Sequence, residues 1–232
     1  MPFGFFSLKG GEMVLLCSLF ALLAITVHLV SLHFNKLLVQ SISKAFLIPS
    51  MSLLLFVAMK ASGRSLHYEE LILLPTLFCT LGDILLELKK KSIFFYIGAV
   101  SFVIGHICYS VFFLSSFGLV HSSLVIWAII WSVGFLLTYR KVAKYGDDET
   151  PLQFLYIFFV LFMGVSLGCS SYNGLLYAKL IGMAGAFSFA YSDLMIIMSR
   201  IKKSDKWEMT IMVTYILANA LIFLSLFLAS TQ

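Results

Sequence analysis

The sequence predicts an all-α polytopic membrane protein, a bundle of about eight transmembrane helices forming a single integral membrane domain over residues 1–232. Three observations lead there. Of the 232 residues, 61% are hydrophobic and only 12% are charged, against roughly 25% charged in a soluble domain. The Leu-, Ile-, Val- and Phe-rich stretches come in runs of about 20, the length that crosses a bilayer core. The basic residues gather in the short segments between those runs, where they meet lipid headgroups. No polar segment interleaves basic and aromatic residues, which argues against a nucleic-acid partner.

Taken in order, spans are expected at residues 13–32, 42–60, 69–88, 93–115, 119–139, 151–169, 174–199 and 207–230. The first is too long for a signal-peptide core and lacks an A-x-A-like cleavage site, so it reads as a retained span. The short connections make neighbouring spans antiparallel helices. A barrel is excluded, because the runs are continuously apolar with no inward polar alternation, and a helix satisfies its own backbone in lipid. One side carries twelve of the sixteen lysines and arginines: Lys36, Lys44, Lys89, Lys90, Lys91, Arg140, Lys141, Lys144, Arg200, Lys202, Lys203 and Lys206. Lys9, Lys60, Arg64 and Lys179 fall on the other. That bias orients the first side to the cytoplasm, with both termini opposite. The membrane would be the endoplasmic reticulum in a eukaryote and the inner membrane in a bacterium. Cys17, Cys79, Cys108 and Cys169 are scattered without a CxxC pair. They read as small buried apolar residues and not as a disulfide framework or zinc knuckle.

The acidic residues sort by depth. Asp147, Asp148, Glu149 and Asp205 lie in basic loops, Glu12, Glu69, Glu70 and Glu208 at span ends, and Glu87 at the lysine-rich boundary. Only Asp83, in LFCTLGDILLELKKK, and Asp193, in AFSFAYSDLMIIMSR, are well inside spans. A carboxylate there costs at least about 2.5–3.5 kcal/mol and is a functional-site candidate by default. The bland alternative is that each pairs with a neighbouring helix to fix packing. The third and seventh spans run the same way, and both aspartates fall roughly 7–9 Å inside the cytoplasmic boundary at about 1.5 Å per residue. At one depth they could face each other across a cavity. Two close carboxylates do not both ionise easily, which would set a general acid beside a general base.

Other polar residues fall near the same level. Lys44 opens the second span and suits a counter-ion or a phosphate contact, or simply snorkels to the interface. Tyr215 and Asn219 lie one turn apart on the eighth span, and His106 and Tyr109 share a face of the fourth. Ser188, Tyr191 and Ser192 flank Asp193, and Gly82 beside Asp83 would let a chain or water approach closely. A zinc site wants three or four ligands. His28, His33, His67 and His121 do not cluster with His106 in depth, so no metal or other cofactor is expected. A faint echo joins the halves: Asp83 precedes His106 by 23 residues and Asp193 precedes Tyr215 by 22. Spans one to four and five to eight then suggest a 4+4 parallel repeat.

The segments LGDILLE, GAVSFVIGHICY, GMAGAFSFAYSDLMI and TYILANALI, in this order and spacing, resemble the lysoplasmalogenase family of YhhN-like membrane hydrolases. The match runs from the second span to the end. It departs at Pro49, displaced after the lysine in KAFLIPS, and at Asn219, where the family usually has glutamine. The resemblance implies a cofactor-free hydrolase that cleaves the vinyl-ether bond of a lysophospholipid, the lysoplasmalogen. The products would be a fatty aldehyde and glycerophosphoethanolamine or glycerophosphocholine. It implies Asp83 and Asp193 as the catalytic pair, with Lys44, His106, Tyr109 and Tyr215 lining the pocket; Asn219, one turn from Tyr215, and Ser192, beside Asp193, are added as candidate contacts from their positions alone. Paired intramembrane aspartates and a repeat also suit a proton-coupled small-molecule or lipid transporter.

Overall fold

A computed structural model describes residues 9–87, 92–144, 150–202 and 205–231. Lys89, Lys90, Lys91, Asp147, Asp148, Glu149 and Lys203, used above for topology, lie outside the described residues. Among the described residues there are eight α-helices and no strand longer than an isolated bridge. The helices are α1 (Gly10–His33), α2 (Leu37–Ala61), α3 (Leu73–Glu87), α4 (Ser92–Phe117), α5 (His121–Ala143), α6 (Thr150–Cys169), α7 (Leu176–Lys202) and α8 (Glu208–Ala229). Six of them, all but α3 and α6, are long and apolar enough to cross a membrane, and the chain is an integral membrane protein.

The boundaries follow the apolar runs closely, and the third span shows why one of them moves. Residues Glu69–Ile72 form a single 3-10 turn, and α3 proper starts at Leu73. Glu69 accepts a hydrogen bond from the Leu66 N–H at 3.2 Å, and Tyr68 has φ of 56°, so the helix cannot propagate back through this corner. Pro75 then occupies the first turn, where its missing N–H breaks no helical bond.

Six helices close a ring. Helix α2 packs on α3, α3 on α4, α4 on α6, α6 on α7, α7 on α8, and α8 returns to α2. Helix α1 lies outside on α2 and α8, and α5 lies outside on α6 and α7. Adding four to each helix number maps the α1–α2, α2–α3 and α3–α4 pairings onto α5–α6, α6–α7 and α7–α8. The loops repeat as well. Ser65, between α2 and α3, bridges to Thr231 after α8, while Ser170, between α6 and α7, bridges to Leu119 after α4. Each of these corners carries left-handed residues, Gly63 and Tyr68 in one and Tyr172, Asn173 and Gly174 in the other. The parallel 4+4 arrangement is thus visible in the pairing and in the turns.

The peripheral helices turn apolar side chains outward. Val125, Ile126, Ile129, Val133 and Leu137 of α5 are all exposed, which hydrocarbon accepts freely. Helix α5 is held by two tryptophans seated on glycines one turn apart. Trp131 lies against Gly164 and Trp127 against Gly168, where any Cβ would collide with the indole rings. On the other side, Gly182 and Gly185 of α7 seat Ser225 and Ile222 of α8. Small residues let helix backbones approach where burial of apolar surface gives no gain over lipid.

Candidate active site

Asp83 sits in the fourth turn of α3, only 2% exposed. The Tyr215 hydroxyl of α8 donates to its Oδ2 at 2.6 Å. Lys44 of α2 places Nζ 3.6 Å from Oδ1 and donates to Glu87 Oε1 at 3.1 Å. Glu87 is one turn beyond Asp83 on the same face, so the ammonium stands between two carboxylates. The Asn219 amide donates to the Tyr215 carbonyl at 2.9 Å, holding the turn of α8 that presents the hydroxyl. Gly82 leaves no open approach. A Cβ there would lie 2.6 Å from the Phe102 ring, so the space is taken by α4.

Asp83, Lys44, Glu87 and Tyr215 border a cavity of about 290 Å³. His28 and Gln40 add polar edges, and Arg200 and Glu208 stand at the helix ends on the lysine-rich side. Phe95, Phe102, Leu86 and Ile196 form an apolar wall. The cavity therefore joins charged groups at its rim to a carboxylate at its floor. His28 is held by Ser43, with Nδ1 and Oγ 2.9 Å apart.

Asp193 of α7 is equally buried, at 2%. Its neighbours are His106 of α4, with Nε2 3.5 Å from Oδ2, and Tyr156 of α6. Neither closes to full hydrogen-bond geometry, and both carboxylate oxygens are unpartnered. His106 Nδ1 lies 3.4 Å from the Met163 sulfur. Asp193 does not border the large cavity, contrary to the expectation of two carboxylates facing each other across one space. A closed ring of aromatic side chains separates the two: Tyr215, Phe102, Tyr156, His106 and Phe189, in that order and back to Tyr215. Each neighbouring pair is in edge contact, with centroids 5.0–6.4 Å apart. Asp83 is bound to the Tyr215 corner of this ring and Asp193 to the His106 and Tyr156 side. The arrangement is reciprocal: α3 takes its partner from α8, and α7 takes its partner from α4.

The remaining expected residues do not line the cavity. Ser192 donates to the Ile211 carbonyl at 3.1 Å, tying α7 to α8 instead of bonding its own helix. Tyr109 stacks on Phe113 at 5.9 Å with its hydroxyl unpaired, one turn beyond His106. Asn219 supports Tyr215 and does not reach the cavity. Sequence reasoning passed over Glu87, whose i+4 spacing from Asp83 was a usable signal. It also passed over Tyr156 and Phe102, which look like any aromatic in an apolar run. Among the described residues no three His, Cys, Asp or Glu side chains converge as a metal would need.

Neither a curated protein nor a solved structure matches the chain. A family model does match, over residues 39–226, from the start of α2 almost to the end of α8, and so covers Lys44 and both aspartates. The chain belongs to the YhhN family, the family that includes lysoplasmalogenases.

Proposed function

We propose that this protein is a lysoplasmalogenase, which hydrolyses the vinyl-ether bond of a lysoplasmalogen to a fatty aldehyde and a glycerophospho-alcohol. The observation that carries the reading is the contrast between two buried carboxylates. Asp83 has a tyrosine hydroxyl and an ammonium aimed at it, the surroundings of an ionised group. Among the described residues Asp193 faces no ammonium or guanidinium, and its oxygens are unpartnered, so it is the one to carry a proton into an apolar site. With the alkenyl end of the chain admitted past the aromatic ring between the two carboxylates, Asp193 protonates the carbon distal to the ether oxygen. The resulting oxocarbenium ion is stabilised by the carboxylate left behind and by Asp83, and preorganised charge of this kind is a large catalytic term. Water adds to the cationic carbon, its proton returns to a carboxylate, and the hemiacetal collapses. The alkenyl chain lies against Phe95, Phe102, Leu86 and Ile196. The headgroup lies at the lysine-rich rim, with Lys44 and Arg200 for its phosphate and Glu87 and Glu208 for its ammonium.

The repeat supports a second reading, a proton-coupled carrier, since parallel halves around a central site suit alternating access. One assay separates them. The protein purified in detergent is given a lysoplasmalogen in deuterated water, with and without chelator. Hydrolysis by carbon protonation yields an aldehyde with one deuterium next to its carbonyl carbon, and chelator leaves the rate unchanged. Absence of aldehyde removes the hydrolase reading, and loss of activity with chelator removes the metal-free mechanism.

A further inference from the structure

His28, near the end of α1, is 1% exposed, and among the described residues its Nε2 has no hydrogen-bond partner. Its tautomer follows from the other nitrogen. The Ser43 hydroxyl has one proton, which it donates to the Val39 carbonyl at 2.7 Å. Toward His28 the Ser43 oxygen therefore accepts, and Nδ1 donates across the 2.9 Å separation. A cationic ring would bury a charge together with an unpaired N–H, so the ring is neutral and Nε2 is an acceptor. With Nδ1 turned to α2, Nε2 lies on the opposite edge of the ring. The ring borders the large cavity in company with Lys44 and Asp83. A buried acceptor left unpaired beside a cavity calls for a donor from a ligand. His28 precedes residues 39–226, over which the family model matches. Helix α1 lies outside the ring of six helices, and His28 and Leu32 are what it brings to the cavity.

We infer that His28 reads the free hydroxyl on the substrate's glycerol, and so selects a lysophospholipid over the form acylated on that carbon. The inference rests on the vinyl-ether reading above. A lysoplasmalogen brings few donors: a hydroxyl on the middle glycerol carbon and, when the headgroup is ethanolamine, an ammonium. The ammonium does not suit Nε2, because the Lys44 ammonium already acts on this ring and like charges repel. It has the Glu87 and Glu208 carboxylates instead. The hydroxyl suits by position. The middle carbon lies between the carbon bearing the vinyl ether and the carbon bearing the phosphate. In the cavity Asp83 marks the ether end and Lys44 the phosphate end, and His28 borders the same space. An acylated middle carbon has no proton to give, and its ester oxygens are acceptors set against a buried lone pair. A site built to bond a substrate hydroxyl rejects the analogue that lacks it, because its own polar group is then left unpaired.

The test pairs two substitutions with two substrates. His28→Asn places an amide N–H where Nδ1 was, keeps the donor to Ser43 and removes Nε2. His28→Gln reaches with its amide oxygen to the place of Nε2. The substrates are a choline lysoplasmalogen, whose headgroup has no N–H, and the same molecule with hydrogen in place of the middle hydroxyl. In the wild type, aldehyde release is expected to favour the hydroxyl substrate by roughly ten- to a hundredfold in kcat/KM, the discrimination one such hydrogen bond gives. His28→Asn should bring that ratio near one by losing activity on the hydroxyl substrate alone, and His28→Gln should restore part of it. A purely structural histidine would slow both substrates alike in His28→Asn, and that result would overturn the inference. So would a wild-type ratio near one, or a His28→Asn defect confined to ethanolamine substrates, the mark of an ammonium contact. A second measurement needs no turnover. A saturated ether analogue of the choline lysolipid, with and without its hydroxyl, is titrated calorimetrically into the detergent-purified protein. The hydroxyl should tighten binding to the wild type and not to His28→Asn, and equal binding of the two analogues by the wild type would contradict this. If the wild type releases no aldehyde, the vinyl-ether reading falls, and the titration still decides whether His28 binds the hydroxyl.

Discussion

At the scale of single residues, the two aspartates differ by their partners and not by their burial. Asp83 has the Lys44 ammonium 3.6 Å from one oxygen and accepts a hydrogen bond from the Tyr215 hydroxyl at 2.6 Å on the other. Hydrogen bonds to charged groups contribute about 1.5–3 kcal/mol. Tyr215→Phe is accordingly expected to lower the thermal midpoint in detergent and to lower kcat by roughly ten- to a hundredfold, as read by aldehyde release. Lys44 stands between Asp83 and Glu87 at the edge of the cavity. Its ammonium borders the cavity that a phosphate would enter from the rim. Lys44→Ala should raise KM more than it slows turnover, and an unchanged KM would remove the headgroup contact. Asp83, Asp193, Lys44, His106 and Tyr215 were legible because charge and histidine are conspicuous in apolar runs. Tyr156 and Phe102 were not. QFLYIFF reads as a lipid-facing stretch, and only the docking of α6 on α4 turns Tyr156 inward.

At the scale of helices, close approach is decided by glycine. Gly82 of α3 lets the Phe102 ring of α4 sit directly beside Asp83, so the wall between the carboxylates depends on a missing methyl. Gly82→Ala would place that methyl 2.6 Å from the ring. Overpacking of this kind costs about 1–3 kcal/mol. It should lower the thermal midpoint and, by moving Phe102, lower kcat as well, with fluorescence-detected unfolding and the aldehyde assay reading the two effects. Helix α5 behaves differently. It touches the core through Trp127 and Trp131 on Gly168 and Gly164, far from the cavity. Gly168→Leu should loosen α5 and lower the thermal midpoint while leaving KM unchanged. Helix positions were readable from the sequence because lipid forces each backbone to pair within its own segment. Helix contacts were not, because in a bundle this apolar every face looks alike and the deciding residues are small ones.

At the scale of the whole molecule, two four-helix halves share a ring of six helices and lend each other a site. Asp83 in the first half is held by Tyr215 of the second, and Asp193 in the second faces His106 of the first. The sequence showed this only as a spacing of 23 and 22 residues. The two copies have diverged in charge. The first has an ammonium and a second carboxylate beside its aspartate, whereas the second has a histidine and a tyrosine. A carrier would need both halves to rock about the site, whereas a hydrolase needs only the division of labour between them.

That division is tested most directly by aldehyde release from Asp83→Asn and Asp193→Asn, each measured beside its thermal midpoint. Loss of a general acid or base is expected to lower kcat by roughly 10²–10⁴-fold, with both variants still folded. Either variant turning over at the wild-type rate would contradict the assignment of the two aspartates as the acid–base pair.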